Sequence, residues 1–139
     1  MRPPIAGVRN MMHKLIFLLL SICLLCAACE TESYTEFRLS NQSAHTIIVS
    51  GYDFFRSDSI RTEIPGGQEA LLSNWDVRGI SSEPPEPSEI FGQSLRIATD
   101  NGKEFLGDAS EASAWSLQTD ERRWTVSNTY TLLLSDTDF

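Results

Sequence analysis

From Tyr34 to the end of the chain, apolar residues recur at every second position in short runs, and each run is closed by turn-forming residues. That period matches the alternating faces of a β-strand, not the 3.6-residue turn of a helix. Tyr34 to Ser40 sets Phe37 and Leu39 on one face, with Glu36 and Arg38 on the other. After the turn Asn41-Gln42-Ser43-Ala44, His45 to Tyr52 supplies Thr46, Ile47, Ile48 and Val49, whose branched side chains suit a pleated surface. Ser59 to Ile64 alternates Ile60, Thr62 and Ile64 with Arg61 and Glu63. Pro65-Gly66-Gly67 ends it, since proline lacks a ladder donor and glycine admits positive φ.

Further along, Glu69 to Ser73 is a short run around Leu71 and Leu72, and Ser94 to Thr99 alternates Leu95, Ile97 and Thr99. Asp100-Asn101-Gly102 predicts a tight turn, because Asn-Gly tolerates positive φ, with Lys103 to Leu106 as the second arm of the hairpin. Trp124, Val126, Tyr130, Leu132 and Leu134 share one parity against Thr125, Ser127, Thr129 and Thr131. This predicts one long, bent or bulged strand with Trp124 and Tyr130 in the core; a hairpin around Ser127-Asn128 is the alternative. Gly79 to Glu89, with three prolines and three glutamates, reads as an extended polyproline-like loop. Gly107 to Ser113 has room for one helical turn capped by Asp108. About seven strands with almost no helix predict an all-β domain over residues 34–139, an antiparallel β-sandwich immunoglobulin-like in architecture.

The first part of the chain is different in kind. Leu15 to Ala28 is an uncharged apolar run of 14 residues directly after Lys14. A membrane-crossing helix needs roughly 20 apolar residues, so this run is short for a span and suits the core of a secretory leader. Residues 1–28 are therefore read as a signal peptide, with Met11 or Met12 as an alternative start that leaves the same mature chain. Residues 29–33 read as a polar tether.

Cys23, Cys26 and Cys29 are the only cysteines, so cleavage before Cys29 leaves one and no disulfide. The fold must then rest on burial alone, for which a domain of this size is large enough. Of the 11 basic residues, Arg2, Arg9 and Lys14 precede Cys29, whereas all 19 acidic residues follow it. The mature chain thus carries 8 basic against 19 acidic groups, a net charge of −11. That balance excludes binding to nucleic acid phosphates through clustered Lys and Arg.

Little in the mature chain points to catalysis. His45 is its one histidine, no Gly-x-Ser-x-Gly elbow is present, and neither paired histidines nor free thiolates offer a zinc site. Asp100-Asn101-Gly102 with Glu104 and Asp108 has oxygen ligands but not the spacing of a calcium loop, and a hairpin turn is the better reading. No catalytic residue, metal or cofactor is assigned. Clustered carboxylates would suggest a small hydrolase only if two of them shared one concave pocket. Aromatic residues are the remaining candidates. Trp75 and Trp115 beside loop-like stretches, and Phe54-Phe55 between Asp53 and Arg56, are candidate contacts to a protein or glycan partner. For Trp75 and Trp115 the stronger reading is that both close the ends of the sandwich.

Leu24-Leu25-Cys26-Ala27-Ala28-Cys29 resembles the lipobox of bacterial lipoproteins, with Cys26 where that family usually has leucine. The resemblance implies cleavage before Cys29 and acylation of its sulfur and new amino group, which anchors the chain in a membrane. Plain secretion after Ala28 is the alternative. The body is similar to small uncharacterised β-sandwich lipoproteins of Gram-negative bacteria. The likeness lies in Asn41-Gln42-Ser43 leading into His45-Thr46-Ile47-Ile48-Val49, in Ile64-Pro65-Gly66-Gly67-Gln68 and in Tyr130-Thr131-Leu132-Leu133-Leu134. It implies an envelope location, with the outer membrane foremost, and no particular activity. The expectation is a lipid-anchored, non-enzymatic binding or accessory module; the alternative is a carbohydrate-binding or adhesin-like module using exposed tryptophans.

Overall fold

The computed structural model describes residues 31–78 and 83–139. Residues 1–28, expected to be a signal peptide, and Cys29 lie outside them. The chain forms β1 (Glu32–Asn41), β2 (Ile47–Asp53), β3 (Asp58–Ile64), β4 (Glu69–Arg78), a short helix α1 (Pro87–Phe91), β5 (Arg96–Thr99), β6 (Trp115–Arg122) and β7 (Thr125–Leu134). Two sheets result, one of four strands in the order β4-β1-β7-β6 and one of three in the order β3-β2-β5. The all-β sandwich is as the alternation predicts. The larger sheet is mixed, because β1 runs parallel to β7 while β4 and β6 pair antiparallel at its flanks.

β1 sits inside its sheet and follows its parity closely. Ser33, Thr35, Phe37, Leu39 and Asn41 are buried and the residues between them are not. It begins at Glu32, within the stretch 29–33 expected as a polar tether, of which residues 29 and 30 lie outside the described residues. Opposite β1, β7 buries Asn128, Tyr130, Leu132 and Leu134 and is one unbroken strand, as its constant parity predicts. Phe37 stacks on Tyr130 with centroids 5.1 Å apart and meets the rings of Phe91 and Trp115 edge-on. From the other sheet Ile47, Val49, Ile64 and Ile97 complete the core. Each such side chain, fully buried, stabilises the fold by about 1.5–3 kcal/mol.

Two buried polar side chains join the sheets, at opposite ends of β2. Asn41 donates from Nδ2 to the carbonyls of His45 (2.8 Å) and Ile64 (2.7 Å), and its Oδ1 accepts from the Ser43 amide and hydroxyl. All four of its hydrogen-bonding positions are therefore used. At the other end Asp53, 2 % exposed, accepts from the Ser73 hydroxyl of β4. The Pro65-Gly66-Gly67 turn fits beneath the Asn41 corner. A Cβ on Gly66 would come within 2.6 Å of the Ser43 carbonyl, and Gly67 has φ 77°.

Several local expectations are corrected. β4 does not stop at Ser73; it runs to Arg78 and carries Trp75, because pairing with β1 extends it through polar residues. The Gly79–Glu89 loop, of which residues 79–82 lie outside the described residues, ends in α1. Proline occupies a first-turn position of that helix, where its missing N–H costs nothing, and the Glu86 amide donates to the Glu89 carboxylate at 2.8 Å. Lys103 to Leu106 forms only an isolated bridge between Glu104 and Ala98. Asp108 accepts from Ser110, but the one-turn helix after it starts at Ala112. Trp124 is not core. It lies in the β6–β7 turn, 47 % exposed, with the Arg123 guanidinium over its ring.

Candidate functional site

The inward face of the four-stranded sheet changes character along its length. One cross-strand row is Ser73, Phe37, Tyr130 and Leu117; the next is Trp75, Thr35, Asn128 and Thr119. The second row is polar at its centre, yet Thr35 is fully buried and Asn128 is 3 % exposed. Thr119 satisfies Asn128 with a 2.9 Å hydrogen bond, whereas the Thr35 hydroxyl and the Trp75 indole N–H are buried without a partner. Burying a donor unpaired costs about 1–3 kcal/mol, so these two side chains stand out among the described residues.

Beside this row lies a groove of about 780 Å³, within the range of ligand sites. Trp75, Leu117 and Tyr130 line it from the strands, and Phe55 lines it from the β2–β3 turn. Pro84, Pro85 and Ile90 form its far wall, and Glu83, Glu86 and Glu89 add three carboxylates. No lysine or arginine lines it among the described residues. Burial first, and then the charges of Glu86 and Glu89, raise the Tyr130 phenol above its ordinary pKa, which places those carboxylates within electrostatic range of the ring.

Asp53 sets the aromatic wall. Its Oδ1 accepts from the amides of Phe55 (3.0 Å) and Arg56 (2.9 Å), bending the turn, while its other oxygen holds Ser73, two residues before Trp75. The Arg56 guanidinium donates to Asn74 at 2.7 Å and makes a second tie to β4. Phe55 and Trp75 consequently meet edge to face with centroids 5.6 Å apart.

The four aromatic candidates separate. Phe55, 60 % exposed, and Trp75 come together in the groove. Phe54 leaves on the other flank, against Tyr52 at 5.1 Å and over Gly92, whose φ of 53° and close contact to the ring suit glycine. Trp115 is corrected from a ligand contact to a core residue. It is 6 % exposed, donates its indole N–H to the Ala109 carbonyl at 2.9 Å, and is stacked near Phe91. Cys29 lies outside the described residues. Sequence reasoning missed Asp53, Thr35, Glu86, Glu89 and the site role of Tyr130. Pro87 with glutamates at 86 and 89 was the available signal for the helix that carries the rim.

His45 lies just before β2 and does not line the groove; its Nδ1 is 3.6 Å from Asp100. A second depression of about 680 Å³ follows β5 and includes Asp100, Glu104 and Asp108. The described residues hold no group of three or more side chains suited to a metal. Glu86 and Glu89 do share one concavity, as a carboxylate hydrolase would require, but a Glu89 oxygen is engaged by the Glu86 amide in capping α1. Comparison with family models, curated proteins and solved structures finds no match to this chain.

Proposed function

We propose that this chain is a lipid-anchored protein of the bacterial cell envelope, outer membrane foremost, and that it works by binding rather than catalysis. Export behind residues 1–28 and acylation of Cys29 would moor the domain, since two or more acyl chains hold a soluble body on a bilayer where one does so only marginally. Among the described residues no helix is long and apolar enough to cross a membrane. The observation that carries the binding role is the groove, where an aromatic pair held by buried hydrogen bonds faces a wall of prolines and carboxylates. A second reading, a carbohydrate-binding module, draws on Trp75 alone, because Trp75 lines the groove while Trp115 is buried.

The anchor is tested by growing a Gram-negative host that makes the full chain on labelled palmitate. Wild type should carry the label on a leaderless species; Cys29→Ala should take up none, and wild type made under globomycin should accumulate as a larger, leader-bearing species. Equal labelling of wild type and Cys29→Ala would end the lipoprotein reading. Glycan arrays probe the groove. Binding lost in Trp75→Ala would favour the carbohydrate reading, and turnover of a glycan would replace binding with catalysis.

A further inference from the structure

We infer that the groove receives a basic, extended segment of a partner protein, whose arginine or lysine side chain lies between the Trp75–Phe55 wall and the carboxylates of Glu86 and Glu89. This deepens the groove reading above and rests on it. Three independent features converge on that chemistry. Aromatic faces attract cations through the ring quadrupole, and carboxylates accept charge-assisted hydrogen bonds from a guanidinium or ammonium; the groove places both kinds of group around one space. Its described lining holds acids and no base, so a cation entering it meets no like charge. The mature chain's net −11 also favours encounter with a basic partner.

The apolar lining separates a polypeptide from a small amine. Pro84, Pro85, Phe55, Trp75 and Leu117 line the same groove as the acids, which gives an extended chain apolar contact along its length, whereas an alkylammonium ion would leave most of that surface uncovered.

The test is calorimetric titration of the detergent-purified full chain with a short peptide of alternating arginine and serine, at low and high salt. One-to-one binding is expected, weakened about tenfold or more by Phe55→Ala and by Glu86→Gln combined with Glu89→Gln. Glutamine keeps an oxygen for the helix cap, so the double variant should retain the fold. Glu63→Gln with Glu111→Gln removes the same charge outside the groove and should leave affinity within about twofold. Absence of binding, or equal weakening by both double variants, overturns the inference as mere attraction of opposite net charges. Binding of tetraethylammonium with the affinity of the peptide also overturns it, in favour of a small-cation site. Glycan binding that depends on Trp75, with no peptide binding, overturns the inference but leaves the groove reading standing.

Discussion

Asp53 carries more of the groove's geometry than any residue that lines it. A carboxylate at 2 % exposure is tolerated here because it accepts from the Ser73 hydroxyl and from two turn amides. Replacing it with alanine would leave those donors short of a partner and release the turn that aims Phe55. Asp53→Ala should therefore cost about 2–4 kcal/mol in urea denaturation, and Asp53→Asn less, because the amide oxygen still accepts. A loss under about 0.5 kcal/mol for the alanine variant would mean that the turn holds itself. Local alternation made Phe37 and Leu39 legible as core in the sequence. It said nothing of Asp53, since a charged residue before two phenylalanines looks the same in a solvated turn as in a buried clamp. Trp75 and Trp115 differ for a like reason. Which indole faces an open groove is decided by the elements that later cover it.

At the scale of elements, α1 explains why the groove exists. It buries Ile90 and Phe91 against the Phe37 row and leaves Glu89 and its N-cap residue Glu86 at the surface, so one short element with its cap both seals the core and supplies the acidic rim. Phe91 is fully buried against Phe37 at 5.3 Å and Trp115 at 6.1 Å. Phe91→Ala should cost about 3–5 kcal/mol in chemical denaturation. If the loss is below about 1 kcal/mol, α1 is not the seal described here. The strands themselves were largely legible, because half-buried β-structure writes a period of two into the sequence. The parallel pairing of β1 with β7 was not, since it joins opposite ends of the domain and leaves no local trace. β4 beyond Ser73 was hidden similarly, as its polar residues are held by the neighbouring strand and not by their own pattern. Proline-rich composition concealed α1, although proline is well placed in a first helical turn.

Taken as a whole, the molecule is acidic and dependent on a core that includes one titratable ring facing two carboxylates. Burial and those charges hold the Tyr130 phenol above its ordinary pKa, so the folded state favours the neutral form. The resulting stabilisation is complete below the unfolded tyrosine pKa, roughly 10, and disappears as pH rises through the higher folded value. Stability followed from about pH 8 to 12 should fall on the alkaline side, and Tyr130→Phe should flatten that fall; identical profiles would remove Tyr130 as its source. The central claim, that Trp75 faces a ligand, has a direct readout in the indole N–H resonances of Trp75, Trp115 and Trp124. On titration with the arginine–serine peptide, the Trp75 resonance should shift as the peptide packs against its ring, while that of Trp115, already bonded to Ala109, should stay in place. A Trp75 resonance that stays fixed while the peptide binds would contradict the account.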